Sequence, residues 1–79
     1  MGYAATQEEW QDRSTAFLKA KMKESGVTYA ELVKRMDGLG FKETEASITM
    51  KLKRGAFAAT FFLAALAAIG VHGIRLEDI

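Results

Sequence analysis

The sequence predicts an all-α fold, a compact bundle of four helices, and three observations carry that prediction. The chain of 79 residues contains no proline, so nothing removes a backbone donor from a helix interior. Alanine, leucine, glutamate, lysine and methionine far outnumber the β-branched residues, a balance that favours helix over strand. Apolar side chains recur at helical spacing in separate segments, and glycines fall between the segments.

The first helix is expected from about residue 8 to 24. Thr6 can cap it, and Glu8 and Glu9 suit the positive end of a helix dipole. Trp10, Phe17, Leu18 and Met22 form its apolar stripe, and Gly26 offers a left-handed stop. The second helix follows Thr28-Tyr29-Ala30-Glu31, which reads as a capping box: the Thr side chain accepts from the N–H three residues on, and the Glu reaches back. Tyr29, Leu32, Val33 and Met36 then repeat at i, i+3, i+4 and i+7, and Asp37-Gly38 with Gly40 ends the helix.

The third helix is expected from about 45 to 54, capped by Thr44 and stopped by Gly55. At about 100° per residue, a buried face centred on Ile48 takes in Leu52 and leaves Ala46, Met50 and Lys53 nearly opposite. Thr49 and Arg54 lie on the flanks. The fourth helix, about 58 to 69, carries Phe61, Phe62, Leu63, Leu66 and Ile69 among many alanines. Apolar all round, it is expected as a central buried helix stopped by Gly70, with residues 71–79 as a short extended tail. The whole chain reads as one domain, its core about 8–72.

Composition excludes several function classes. With no Cys there is no disulfide framework and no thiolate metal site, a usage that fits the cytoplasm. A single histidine, His72, cannot build a His-based metal cluster. The glycines mark helix ends instead of a phosphate loop, and the acids are scattered where caps and i,i+4 pairs use them. The expectation is a non-enzyme without cofactor or metal. The apolar run 56–71 is Ala-rich and shorter than the roughly 20 strongly apolar residues of a membrane span, so no membrane role is expected.

Charge is unevenly spread. The net charge is only +1, yet residues 13–54 hold ten basic side chains against five acids. The first twelve residues and the last twenty-five are net acidic. Such a layout suits an anionic partner, and equally a solvated surface rich in lysine.

The segments Gly26-Val27-Thr28-Tyr29-Ala30-Glu31-Leu32-Val33, Ile48 to Gly55 with its Arg-Gly end, and Phe62 to Val71 with its Ile-Gly-Val step come in a telling order. Together, over roughly residues 10–72, they resemble the lambda-repressor-like helix-turn-helix domains of the Cro/repressor, or xenobiotic-response-element, family. The chain also looks like a small bacterial domain family of unknown function related to that fold. The resemblance implies a recognition helix, the third, lying in the DNA major groove, with the second crossing the backbone. Carried over position by position, Tyr29 stands where the family has a polar residue touching a phosphate. Ala46, Ser47, Thr49, Met50 and Lys53 would meet base edges. Lys42, Thr44 and Arg54 would meet phosphates. Three features differ from the family's pattern: a longer connection between the second and third helices, Lys53 where Glu is usual, and no Asn or Gln to pair with adenine on the outward face.

Two functions are therefore expected from the sequence. One is a DNA-binding transcriptional regulator, acting on double-stranded DNA as a homodimer that reads two half-sites. The other is a non-enzymatic protein-interaction module that reuses the fold within a transcription or phage-related complex. Lys53 and Arg54 favour the first, and an exposed Met50 favours the second.

Overall fold

Glycine-terminated helices of moderate length can bury their apolar stripes only against one another, and the computed structural model, which describes residues 2–79, is built that way. The helices are α1 (Gln7–Ser25), α2 (Tyr29–Asp37), α3 (Glu45–Arg54) and α4 (Ala59–Ile69), followed by one 3₁₀ turn at Leu76–Asp78. No strand occurs among the described residues. The Cα radius of gyration is 12.2 Å, close to the roughly 11.6 Å expected of a compact chain this long.

Capping chemistry fixes the boundaries. Thr6, Thr28 and Thr44 each hold extended backbone and accept, through Oγ1, from the N–H three residues on. Each bond satisfies one of the four donors that a helix start leaves unpaired. Gly26, Gly55 and Gly70 close α1, α3 and α4 in the left-handed conformation. After α2 the pattern differs: Gly38 stays right-handed, and Gly40 takes the positive φ of 90°. The Phe41 N–H then donates to the Met36 carbonyl at 3.0 Å, which turns the chain toward α3.

The core forms where the four stripes meet. Leu18 and Met22 of α1, Val27, Leu32 and Met36 from the α2 region, Ile48 and Leu52 of α3, and Phe61, Ala65, Leu66 and Ile69 of α4 make one buried cluster. α2 packs against α4 and α3, and α1 packs against α4 and α3. The chain turns by 118° between α3 and α4. Thr15 Oγ1 donates to the Leu52 carbonyl at 3.0 Å and so ties α1 to the last turn of α3. Arg35 Nη1 donates to the Ala68 carbonyl at 3.0 Å, satisfying one of the acceptors left over at the end of α4.

Four sequence expectations are corrected. Trp10 is not in the core: it is half-buried and packs against Tyr3, ring centroids 6.1 Å apart, in an N-terminal segment that folds back on α1 and buries Ala4. The second half of the α2 capping box does not form, because the Glu31 carboxylate takes the Arg35 guanidinium at 2.9 Å instead. α4 is not buried all round: Leu63 is 61% exposed, and Ala59, Thr60 and Ala67 are exposed beside it. The neighbouring helices cover only part of its circumference. The tail is not simply extended either, since Ile74 packs on the core before the 3₁₀ turn.

Candidate functional site

α3 presents two faces of opposite character. Ile48 and Leu52, one turn apart, are buried, and they hold the helix on the core. The outward side is exposed at Ala46, Thr49, Met50, Lys53 and Arg54, with Met50 51% exposed. The Thr49 hydroxyl donates back to the Glu45 carbonyl at 2.8 Å.

The start of α3 is fastened by a reciprocal box. Ser47 N–H donates to Thr44 Oγ1 at 3.0 Å, and Thr44 N–H donates to Ser47 Oγ at 2.8 Å. The Ser47 hydroxyl in turn donates to Glu43 Oε1 at 2.6 Å. Lys51 Nζ reaches both oxygens of the same carboxylate, at 2.9 and 3.0 Å, and lies 5.1 Å over the Phe61 ring of α4. The Glu43 side chain is only 7% exposed, so its charge is held by Lys51 and Ser47 in place of water. Glu43, Ser47 and Lys51 thus form an ionic staple along one flank of α3.

The residues singled out from the sequence divide accordingly. Ala46, Thr49, Met50, Lys53 and Arg54 share the exposed side of α3. Thr44 and Ser47 are engaged in the cap. Lys42 is 90% exposed and pairs with Asp37 at 3.0 Å across the end of α2. Tyr29 opens α2, half-buried, with its ring against the core. Missing from the sequence reading were Glu43 and its pairing with Lys51, a cation read there only as a helix-end charge or a phosphate contact. Ser47 and Lys51 share a face of α3, but Glu43 precedes the extended Thr44 cap and lies outside the helix, so helix spacing alone does not encode its pairing.

Pairing also decides which cations are free to meet a ligand. Arg35 is committed to Glu31 and Ala68, Lys42 to Asp37, Lys51 to Glu43, and Lys21 to Glu24 at 3.5 Å. Arg13 donates to the Gly2 carbonyl. Lys19, Lys23, Lys34, Lys53 and Arg54 make no side-chain hydrogen bond or ion pair among the described residues and are exposed. The hydrogen bond from Arg35 holds the Glu31 carboxyl below the usual carboxylate range, with Lys34 adding to the effect. Arg75 lowers Glu77 in the same way. Both pairs are exposed and lie outside α3. No group of three or more His, Asp or Glu side chains able to hold a metal ion is present among the described residues, and no single helix is long and apolar enough to cross a membrane.

A family model described as "Domain of unknown function (DUF6471)" matches residues 10–74, from Trp10 in α1 to Ile74 just past α4, and the chain belongs to that family. No curated protein and no solved structure matches it.

Proposed function

We propose that this member of the DUF6471 family is a DNA-binding regulator with a lambda-repressor-like helix-turn-helix arrangement, in which α3 is the recognition helix. The observation that carries the reading is the outward side of α3. It is a short helix, capped at both ends, held by two buried residues, and it leaves Lys53 and Arg54 without an ion pair among the described residues. α2 packs directly against α3, as a helix that crosses the backbone beside a recognition helix must. The positive surplus of residues 13–54 supplies the sequence-independent attraction to a polyanion. Ala46, Thr49 and Met50 are small or flexible enough to lie against base edges. Lys53, which the family resemblance assigns to a base edge, stands in the last turn of α3 beside Arg54, and we assign both to phosphates.

The connection from α2 to α3, residues 38–44, is longer than a tight helix-turn-helix turn. It carries the Lys42–Asp37 pair and the Glu43 staple. One copy of α3 offers little contact area, and two copies reading two half-sites would be the working unit. Titration of a labelled random-sequence duplex, followed by fluorescence anisotropy at low and moderate salt, tests the reading. Binding that weakens steeply with salt supports it, and absence of binding by the folded protein at low salt rejects it.

A second reading rests on Met50. A methionine half exposed at the middle of the same face is a common feature of adaptable protein contacts. On that reading α3 docks against another protein chain in a transcription or phage-related complex, and a single charge at Met50 would abolish the association.

A further inference from the structure

Between α1 and the end of α3 lies a shallow hollow of about 380 Å³, whose walls include Asp12, Thr15, Lys19, Leu52, Lys53 and Gly55. The α1 residues 12, 15 and 19 form one stripe along the helix, because they follow at i, i+3 and i+7. Asp12 and Lys19 therefore stand about 10.5 Å apart along the axis. Lys19 and Lys53 come to this one depression from different helices. Both are exposed, and neither has an ion pair among the described residues. Thr15 gives its hydroxyl proton to the Leu52 carbonyl, so it fixes the spacing of the two helices and leaves the lysines as the cationic donors.

We infer that this hollow seats one backbone phosphate of the DNA, held jointly by Lys19 and Lys53, and that the DNA surface therefore extends from α3 onto α1. The inference rests on the DNA reading of α3 and adds to it a residue, Lys19, outside α2 and α3. Two lysines that bring six donors to one diester oxyanion supply the charge-assisted contacts by which phosphates position a protein on a duplex. Asp12 at the far end of the stripe opposes the anion and confines it to the Lys19 end. Lys53 also suits the negative end of the α3 dipole, but that role involves no partner on α1 and gives Lys19 nothing to do.

The test compares the salt dependence of binding to a random-sequence duplex for the parent, Lys19→Ala, Lys53→Ala and the double variant. Each neutralised phosphate contributes about 0.9 to the slope of log K against log salt. One shared phosphate predicts that each single variant weakens binding and that the double variant loses about 0.9 of slope in total. Asp12→Asn should tighten binding several-fold at low salt. Both lysines are exposed and unbonded, so helix content and melting should stay those of the parent, and Lys19→Gln, which keeps the apolar stem, should behave as Lys19→Ala does. If the parent binds DNA and Lys19→Ala binds with unchanged affinity and slope, the shared seat is wrong while the DNA reading stands. A double variant that loses about 1.8 of slope means two separate phosphates, and the seat is again wrong. A parent that binds no DNA at low salt overturns both.

Discussion

Gly55 closes α3 directly against Gln11 of α1: a Cβ built on Gly55 would stand 3.0 Å from the Gln11 Cβ and 3.1 Å from its carbonyl oxygen. The residue is glycine for two separate reasons, the left-handed φ of 67° and the absence of room. Gly26 shares the first reason, with φ 68°, but has nothing within 4 Å of its would-be Cβ. Gly26→Ala should therefore cost only the left-handed penalty, roughly 1–2 kcal/mol. Gly55→Ala should cost roughly 1–3 kcal/mol more, since helical backbone in α1 has to give way. Urea midpoints at unchanged m-value measure the difference, and equal losses would show that α1 and the α3–α4 turn are not in contact.

Phe61 and Leu63 separate the buried and open sides of α4. Phe61 is 2% exposed, touches Phe57 at 5.4 Å between ring centroids, and lies beneath Lys51. Phe61→Ala should cost roughly 3–5 kcal/mol, enough to unfold a domain this small or leave it molten. Leu63→Ala should change stability by no more than about 0.5 kcal/mol, because the side chain is mostly in water already. Circular dichroism melts of the two variants decide it. A Phe61→Ala protein that melts like the parent would contradict the packing of α4.

The Glu43–Lys51 pair is asymmetric, and its variants should be too. Lys51→Met leaves a nearly buried carboxylate with only the Ser47 hydroxyl, and should cost about 1–3 kcal/mol, less than for a fully buried pair because Lys51 is partly exposed. Adding Glu43→Gln should recover part of that loss, since a neutral amide needs no counter-charge. A double-mutant cycle on chemical denaturation reads the coupling directly. A coupling near zero would mean that the staple does not stabilise the start of α3.

The Glu31–Arg35 pair gives a pH signature. The folded carboxyl titrates below its ordinary value of 4.5, chiefly through the Arg35 hydrogen bond. A depressed carboxylate contributes stability that is present above the unfolded value and lost as pH falls through the folded one. Glu31→Gln should therefore lower stability at neutral pH and flatten its decline in the acid range below about pH 4.5. Carboxyl-resolved NMR titration should show the Glu31 midpoint rising in Arg35→Gln. If the midpoint does not move, the hydrogen bond is not what lowers it.

Helix ends were readable from the sequence because caps and stops are local chemistry. Thr6, Thr28, Thr44, Gly26, Gly55 and Gly70 act on neighbours within four residues. What depended on distant parts of the chain was not readable. Glu31 had two local partners within reach, the Thr28 N–H and Arg35, and the charged one won, since a carboxylate gains more from a guanidinium than from an amide. Leu63 looked like core because periodicity cannot tell how many neighbours exist to cover an apolar helix. Trp10 needed Tyr3 to fold back on it, a contact that no spacing rule encodes. On α3 the exposed positions 46, 50 and 53 were legible from the 100° rotation alone. The engagement of Ser47 was not, because a Ser at the third helical position is a weaker box signal than Glu or Gln.

Four substitutions on α3 separate DNA binding from protein docking. Lys53 and Arg54 are exposed and unpaired, so Lys53→Glu and Arg54→Glu should leave the fold intact apart from a modest cost of reversed charge at a helix C-terminus, typically 0.3–1 kcal/mol. On the DNA reading each should weaken binding several-fold or more on every sequence, because phosphate contacts carry no sequence information. Thr49→Ala should act differently, with a smaller loss confined to the preferred sequence, since a contact to a base edge carries specificity. Its hydroxyl bond to the Glu45 carbonyl is local to the helix, so losing it should not disturb the core. Met50→Lys gives the opposing pattern. On the DNA reading an added cation on the outward face leaves binding to random duplex unchanged or stronger. On the docking reading it removes an apolar contact from the centre of an interface and abolishes self-association or partner capture, while Lys53→Glu and Arg54→Glu leave DNA binding untouched. Anisotropy titration and sedimentation on the same four proteins give one pattern or the other.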